Sequence, residues 1–345
     1  MDYRQLGRSG PNVSAVCLGT MTFGEQNSET EAHSLLDMAF ERGINFIDTA
    51  EMYPVPAREQ TSGASESIVG NWLKRKPRES VVLATKAAGP SRNLTWIRGG
   101  PLALDAANLR AAIEASLRRL GTDYVDLYQL HWPERNQPLF GQWQYDPARE
   151  RPGTSIKAQL EALAELVAEG KVRAIGLSNE HPWGISEFLR LADEFALPRV
   201  VSVQNAYSLL NRVYEFGIAE LCHREDVCLL AYSPLAFGHL SAKYRDHPDA
   251  VGRINRFKGF GARYTKPNVG EAVEAYAALA RCCGVSPATL ALAFVYRRWF
   301  VGSTIIGATD RAQLAENLAA WDWIPDAEVI DEIEQIHLRF PNPAP

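Results

Sequence analysis

The chain has 345 residues, 46% hydrophobic and 22% charged, and its 36 basic and 41 acidic residues leave a net charge of −5. That balance lacks the basic surplus or stripe of a nucleic-acid binder. No run of about 18 apolar residues is present, so no membrane-spanning helix is expected.

The amino terminus, MDYRQLGRSG, lacks the charged-then-apolar pattern of a signal peptide. Two short alternating segments flank RSGPN and predict a β-hairpin that closes the bottom of the domain. Short β-branched runs then alternate with stretches of helical period. VCLGT precedes ETEAHSLLDMAFERG, NFIDT precedes SESIVGNWLKRK, VVLATK precedes DAANLRAAIEASLRRLG, and VDLYQLH precedes SIKAQLEALAELVAEG. VRAIGLS leads to GISEFLRLADEF, VVSVQN to YEFGIAELCHRE, VCLLAYS to VGEAVEAYAALARCCG, and STIIGAT to RAQLAENLAAW. Eight strand-then-helix units imply a parallel sheet with right-handed crossovers, and that number suits a closed (β/α)8 TIM barrel occupying residues 1–345 as one domain. Glycines at 43, 121 and 170 supply left-handed stops to three of the helices. The basic run LKRKPRES at 73–80 reads as the solvated end of a helix.

Helix-to-strand turns are short, whereas three strand-to-helix loops, at about 87–104, 133–154 and 234–268, are long. In such a barrel these loops lie on the C-terminal face, where ligands bind. The first two carry Trp96, Phe140, Trp143 and Tyr145, which supply apolar walls or cover the barrel. Cys17, Cys222, Cys228, Cys282 and Cys283 form no C-x-x-C pair and have no His or Cys at zinc-ligand spacing. Free thiols in a reducing cytoplasm are expected, with no metal.

Three consecutive strands end in ionisable groups: Asp48, Lys86 and His131, with Tyr53 just past the first. Taken alone, each has a plainer explanation as a helix cap, a solvated charge or a core residue. Taken together, at neighbouring strand ends, they make a proton-transfer set. An ammonium near a phenol stabilises the phenolate and lowers a pKa that is ordinarily about 10. Asp48 would hold Lys86 in place, and His131 is suited to orient a substrate oxygen. A carbonyl taking a proton must also accept something at carbon, and hydride from a nicotinamide is the natural complement. The usual G-x-G-x-x-G signature is absent; VCLGTMTFG does not match it, nor does the GFG at 259–261. GLSNE at 176–180 lacks the closing glycine of a nucleophile elbow.

The segments LGTMTFG, GINFIDTAEMY, LATK, LGTDYVDLYQLHWP, GKVRAIGLSN, VQNAYSLLNR, LLAYSPLAFG and STIIGATDRAQLAENL resemble the aldo-keto reductase superfamily in order along the chain. MTFGEQNSE, AEMYPVP, GPSRN, YSLLNR and the terminal NPAP resemble its Tas-like branch. The resemblance implies NADPH-dependent reduction of aldehydes or ketones, with Tyr53 as proton donor, Asp48 and Lys86 as its tuning pair and His131 as the substrate-oxygen partner. It also implies that Ser178, Asn179 and Gln204 hold the nicotinamide carboxamide and that Tyr232 stacks on the ring. Gly19, Thr20, Met21 and Asp48 would lie beneath. Ser233, Pro234, Leu235, Gly238 and Leu240 would follow the pyrophosphate, and Gly307, Thr309, Gln313, Glu316 and Asn317 would receive the adenosine end. Many members have an arginine where Gln313 stands. Lys243, Arg253, Arg256 and Arg311 are the cations here that can substitute for it at a 2′-phosphate.

The substrate rim is expected at Met21, Phe23, Met52, Tyr53, Trp96, His131 and Trp132, with Tyr207 as a further candidate, which suits medium-sized aldehydes or aryl ketones. A monomer or weak homo-oligomer is expected. Two rival functions are a cofactor-sensing regulatory subunit of the same fold and a metal-dependent lyase or hydrolase. A complete proton-transfer set favours the reductase.

Overall fold

A computed structural model describes residues 1–91, 93–246, 249–250, 252–257 and 261–345. Strands β1 (Tyr3–Gln5) and β2 (Asn12–Ser14) pair antiparallel as the hairpin. Then come β3 (Val16–Gly19), α1 (Glu29–Glu41), β4 (Phe46–Asp48), α2 (Ala64–Leu73), β5 (Val82–Ala87), α3 (Ala106–Leu120), β6 (Val125–Leu130) and α4 (Ile156–Ala168). They are followed by β7 (Val172–Ser178), α5 (Pro182–Glu194), β8 (Val200–Ala206), α6 (Ile218–Arg224), β9 (Cys228–Tyr232), α7 (Lys243–Asp246), α8 (Arg253–Arg256), α9 (Val269–Cys282) and α10 (Pro287–Tyr296). The last elements are β10 (Val301–Ile306), α11 (Arg311–Ala319) and α12 (Ala327–Arg339).

Strands β3 to β10 pair in parallel and close into a barrel, β10 beside β3. Helix α1 shows why the units form. Ala32, Leu35, Leu36 and Ala39 recur at helical spacing and are buried. Ser28 accepts the Glu31 N–H while Glu31 accepts the Ser28 N–H at 2.8 Å, a capping box that fixes where the helix begins. Gly121, at φ 63°, ends α3 in the left-handed conformation the sequence predicts.

Two apolar layers result. One fills the space between barrel and helices, and the other fills the barrel interior with Cys17, Phe46, Val82, Ala84, Leu127, Ala174, Val201, Leu230 and Ile305. Leu6 and Val13 of the hairpin region join the interior cluster, so the hairpin plugs the end away from the long loops.

Four features depart from expectation. Helix α10 interrupts the connection expected to be short between α9 and β10. Its residues from Leu290 to Tyr296 are all buried, so no amphipathic period marks it, although Ser286 caps it and Pro287 opens it. Helix α12, capped by Asp326, follows the eighth unit. Helix α6 starts only at Ile218, because Gly217 at φ 104° breaks the pattern that begins at Tyr214. Among the described residues, the loop after β9 contains α7, α8 and two 3-10 turns. Among the described residues no single helix is long and apolar enough to cross a membrane.

Candidate active site

Asp48 ends β4 and Lys86 lies near the end of β5; parallel register places Asp48 beside Ala84, two residues before Lys86. The fully buried ammonium of Lys86 donates to Asp48 Oδ2 at 2.6 Å and to the Thr49 carbonyl at 2.7 Å. Its third interaction is with the Tyr53 hydroxyl, with the nitrogen 4.8 Å from the phenol ring centroid. Asp48 Oδ1 accepts from Gln129 Nε2 at 3.2 Å and from Gln204 Nε2 at 2.9 Å. A buried ion pair is tolerated only when its remaining polar positions are filled, and here they are. Burial opposes the Lys86 charge, but Asp48 and Tyr53 outweigh it and hold the pKa above the ordinary lysine value.

Tyr53 departs from the expected direction. Burial raises its pKa, Lys86 pulls it down and Asp48 pushes it up, for a net value above the ordinary phenol. Desolvation of a phenolate outweighs one neighbouring cation that already serves a carboxylate. The hydroxyl is therefore held in its protonated form.

The His131 N–H donates to the Ala87 carbonyl at 2.9 Å, extending the β5–β6 pairing by one residue. Its ring meets Tyr53 edge-on at 5.6 Å and 75°. Burial, reinforced by Lys86, pushes its pKa well below the usual value, so the imidazole is neutral. Its buried Nδ1 has no hydrogen-bond partner among the described residues. A phenol, an ammonium and a neutral imidazole thus converge at one rim.

The rim continues through a cluster of Ala88, Leu94, Ile97, Leu102 and Trp132, packed by Met52, Trp96 and Leu139. Trp132 lies 4.9 Å from the His131 ring and 6.2 Å from Phe140. Met21 is half-buried in the turn after β3. Two expected rim residues, Phe23 and Tyr207, lie elsewhere. Phe23 is fully buried in the outer core, in a β3–α1 turn whose next residue, Gly24, lies against Ala64 of α2. Tyr207 is also fully buried; it stacks on Phe294 and its hydroxyl binds Glu215. Trp143, 76% exposed, and Tyr145 stand out from their loop rather than lining the wall.

Across the mouth, Asn179 Nδ2 donates to the His131 carbonyl at 2.9 Å, and Asn179 Oδ1 accepts from Tyr232 Oη at 2.7 Å. Ser178 Oγ donates to the Gln204 carbonyl at 2.9 Å. Gln204 Nε2 donates to Asp48 and Gln129 and so is committed to the barrel interior. Thr20 is fully buried, its hydroxyl donating to the Asp48 carbonyl at 3.0 Å, and Gly19 pairs with Asp48. After β9, Ser233 (φ 54°), Ala236 (49°) and Gly238 (94°) adopt left-handed conformations, with Leu235 at φ −95° between them. Phe237 (55°) continues the left-handed run, and the N–H groups of Ala236, Gly238 and Leu240 donate within the loop, to the Ser233 and Leu235 carbonyls. The Leu240 side chain is core.

In the β10–α11 turn, Gln313 Oε1 accepts from the Thr309 N–H at 3.1 Å and Gln313 Nε2 donates to Asp310 at 2.6 Å. Asn317 donates to the Gly307 carbonyl at 3.2 Å, and Glu316 accepts from Ser286 at 2.6 Å. A Cβ added at Gly307 would meet nothing within 4 Å, so space is open there. Arg311 is turned onto Ser34 of α1 at 3.0 Å. Lys243 begins α7 and lies over the Tyr244 ring; Arg256 ends α8 over Phe257. The Arg253 side chain and residues 259–260 of the GFG triplet lie outside the described residues.

The family model described as "Aldo/keto reductase family" matches residues 15–337. The chain belongs to the aldo/keto reductase family. Protein tas of Escherichia coli strain K12 is 47% identical over 346 aligned positions, covering 100% of both chains. An NADH-specific methylglyoxal reductase of the same strain is 32% identical over 91% of this chain and 92% of its own. The uncharacterized oxidoreductase YrpG of Bacillus subtilis is 31% identical over 99% and 97%.

Aldo/keto reductases use nicotinamide cofactors on small carbonyl compounds. The open Gly307 turn and the unpartnered His131 nitrogen fit such a pair of ligands. Sequence reading missed Gln129 as the second support of Asp48. It stands two residues before His131, so the period of two along β6 was the available signal. It also missed Arg263, which acts on Tyr232 and Tyr264 from a loop with no pattern to mark it.

Proposed function

We propose that the chain is an NADPH-dependent reductase of aldehydes or ketones, acting in the cytoplasm through one barrel domain, with Tyr53 as proton donor. The observation that carries this reading is the buried Asp48–Lys86–Tyr53 chain facing a neutral His131 at 5.6 Å. The dinucleotide supplies, when bound, the hydride that the carbonyl carbon accepts.

Neutral His131 presents a ring N–H to the substrate oxygen and orients it. Tyr53 gives its proton to that oxygen as negative charge develops. Lys86 then faces the new phenolate, which it stabilises until the proton returns from solvent. Asp48 keeps the ammonium aimed at Tyr53, and Gln129 and Gln204 hold the carboxylate still. Trp132, Trp96, Met52 and Met21 give the substrate an apolar wall.

Ser178, Asn179 and Gln204 hold the carboxamide end, Tyr232 the ring face, Ser233, Pro234, Leu235, Gly238 and Leu240 the pyrophosphate, and Gly307, Thr309, Gln313, Glu316 and Asn317 the adenosine. Gln204 takes part through its oxygen, since its amide nitrogen is committed. Preference for NADPH is supported by the segment 243–266, whose Lys243, Arg245, Arg253, Arg256, Lys258, Arg263 and Lys266 outnumber Asp246 and Asp249. Five free cysteines agree with a reducing compartment.

The test is loss of reduced-nicotinamide absorbance over a panel of aldehydes, ketones and quinones, with NADPH and NADH in parallel. Turnover favouring NADPH is expected. Tight cofactor binding with no turnover on any carbonyl would overturn the reading in favour of a sensor.

A further inference from the structure

Behind the proton-transfer set lies a second buried ionic group that the proposed reaction does not use. The peptide of Ala88, just past β5, is gripped at both ends. Its N–H donates to Glu51 Oε1 at 2.6 Å, and its carbonyl accepts from Arg98 Nη2 at 2.7 Å. Arg98 Nη2 lies 3.5 Å from Glu51 Oε1, which closes the triangle. Arg98 Nη1 donates to the Asn108 carbonyl at 3.0 Å and so ties the loop to the first turn of α3. Arg98 adopts φ 54°, a left-handed conformation that disfavours a residue with a side chain by roughly 1–2 kcal/mol. Something must hold it there, and the four-atom grip on Ala88 and Asn108 does so.

The two residues after Ala88 carry the grip to the substrate wall. A Cβ added at Gly89 would stand 2.6 Å from the Trp132 carbonyl oxygen and 2.7 Å from its indole. The Pro90 carbonyl accepts the Trp132 indole N–H at 3.1 Å. Trp132 in turn lies against His131 at 4.9 Å. Glu51 is also bound at its backbone, its N–H donating to the Lys86 carbonyl at 3.3 Å, two residues before Tyr53.

We propose that Glu51 and Arg98 are positioning residues that clamp the Ala88–Pro90 segment and thereby set the Trp132 indole as the wall for aromatic carbonyl substrates. The proposal rests on the carbonyl-reductase reading for its substrate and on geometry alone for the clamp. Glu51 is also placed to make the clamp sensitive to pH. Burial raises its pKa to about 7; Arg98 and the Ala88 N–H lower it, Glu66 of α2 raises it and Arg119 of α3 lowers it. Tyr128 of β6, whose own pKa burial pushes far up, faces it as a neutral phenol. Proton uptake by Glu51 removes the charge that Arg98 faces, so the clamp is closed above about pH 7 and loosened below.

The experiment compares benzaldehyde with propanal between acid and mildly alkaline pH, together with the tryptophan emission of the cofactor-free protein. In the wild type, KM for benzaldehyde should rise about five- to tenfold as pH falls through 7, with kcat and the propanal KM moving less than about twofold. Glu51→Gln, which keeps the shape and an acceptor for the Ala88 N–H, should show the high benzaldehyde KM at every pH. The emission of the wild type should titrate near pH 7, and Glu51→Gln and Trp132→Phe should each abolish that step. Wild-type KM and pH profile in Glu51→Gln, or no emission step in the wild type, overturns the clamp whether or not the variants fold. An intact emission step with no turnover of either aldehyde overturns the substrate role and the carbonyl-reductase reading together. Turnover without the step overturns the clamp alone.

Discussion

On the β4–β6 side of the mouth, Asp48, Lys86 and His131 stand at or just past strand ends; the Asp48 and Lys86 side chains and the His131 backbone engage barrel strands directly. On the β9–β10 side, the residues assigned to the dinucleotide lie in loops and a helix cap, where Gln313, Thr309 and Asp310 bind mainly one another. The first arrangement holds its geometry without ligand, because Asp48 and Lys86 have side-chain partners on other strands and the His131 backbone is tied to β5. The second is held by short-range side-chain contacts that a ligand can replace at little expense. Chemistry requires the former: a proton must leave from a fixed place. Recognition of a long flexible ligand tolerates the latter.

The comparison is broken most severely by Lys86→Met. It leaves Asp48 buried without its counter-charge and should destabilise the fold by about 3–5 kcal/mol, read by chemical denaturation, with loss of turnover. Should stability hold within about 1 kcal/mol, the strand-end network is looser than its distances imply. Tyr53→Phe comes next. It should lower kcat by about a hundredfold or more with dinucleotide affinity within about twofold, and wild-type kcat would remove Tyr53 from the reaction.

A pH test sharpens the same half. His131 has a folded pKa below its unfolded value of about 6.5, so the unfolded chain binds the extra proton. Stability attributable to His131 is therefore complete above about pH 6.5 and is lost as pH falls through that value, by up to about 1.4 kcal/mol per unit. His131→Asn should flatten that part of a denaturation-versus-pH curve. The smallest effect belongs to the loop side. Gln313→Arg should raise affinity for NADPH relative to NADH about fivefold, measured by fluorescence titration, because an exposed charge pair contributes about 1 kcal/mol. A larger change would mean that the β10–α11 turn is as firmly built as the strand-end network.

Legibility follows the same division. Asp48, Lys86 and His131 stand out because a polar group ending an apolar strand breaks a two-residue pattern. Gln129 was hidden inside β6 among apolar neighbours, and Glu51 and Arg98 are 47 residues apart, with nothing local to join them. Tyr207 and Phe23 were misplaced because an aromatic at a loop start reads the same whether it turns to the mouth or to the core. Helix α10 escaped because a helix buried on every side has no polar face to set its period.

From the residues alone came the eight-fold alternation, the hairpin and the polar strand ends, since strand and helix periods are local properties of the chain. Closure of β10 against β3 decided the rest: it brought Gln204 to Asp48 from 156 positions away and buried Tyr53 deeply enough to reverse the expected shift of its pKa. Desolvation depends on everything packed around a group, so no stretch of sequence carries it.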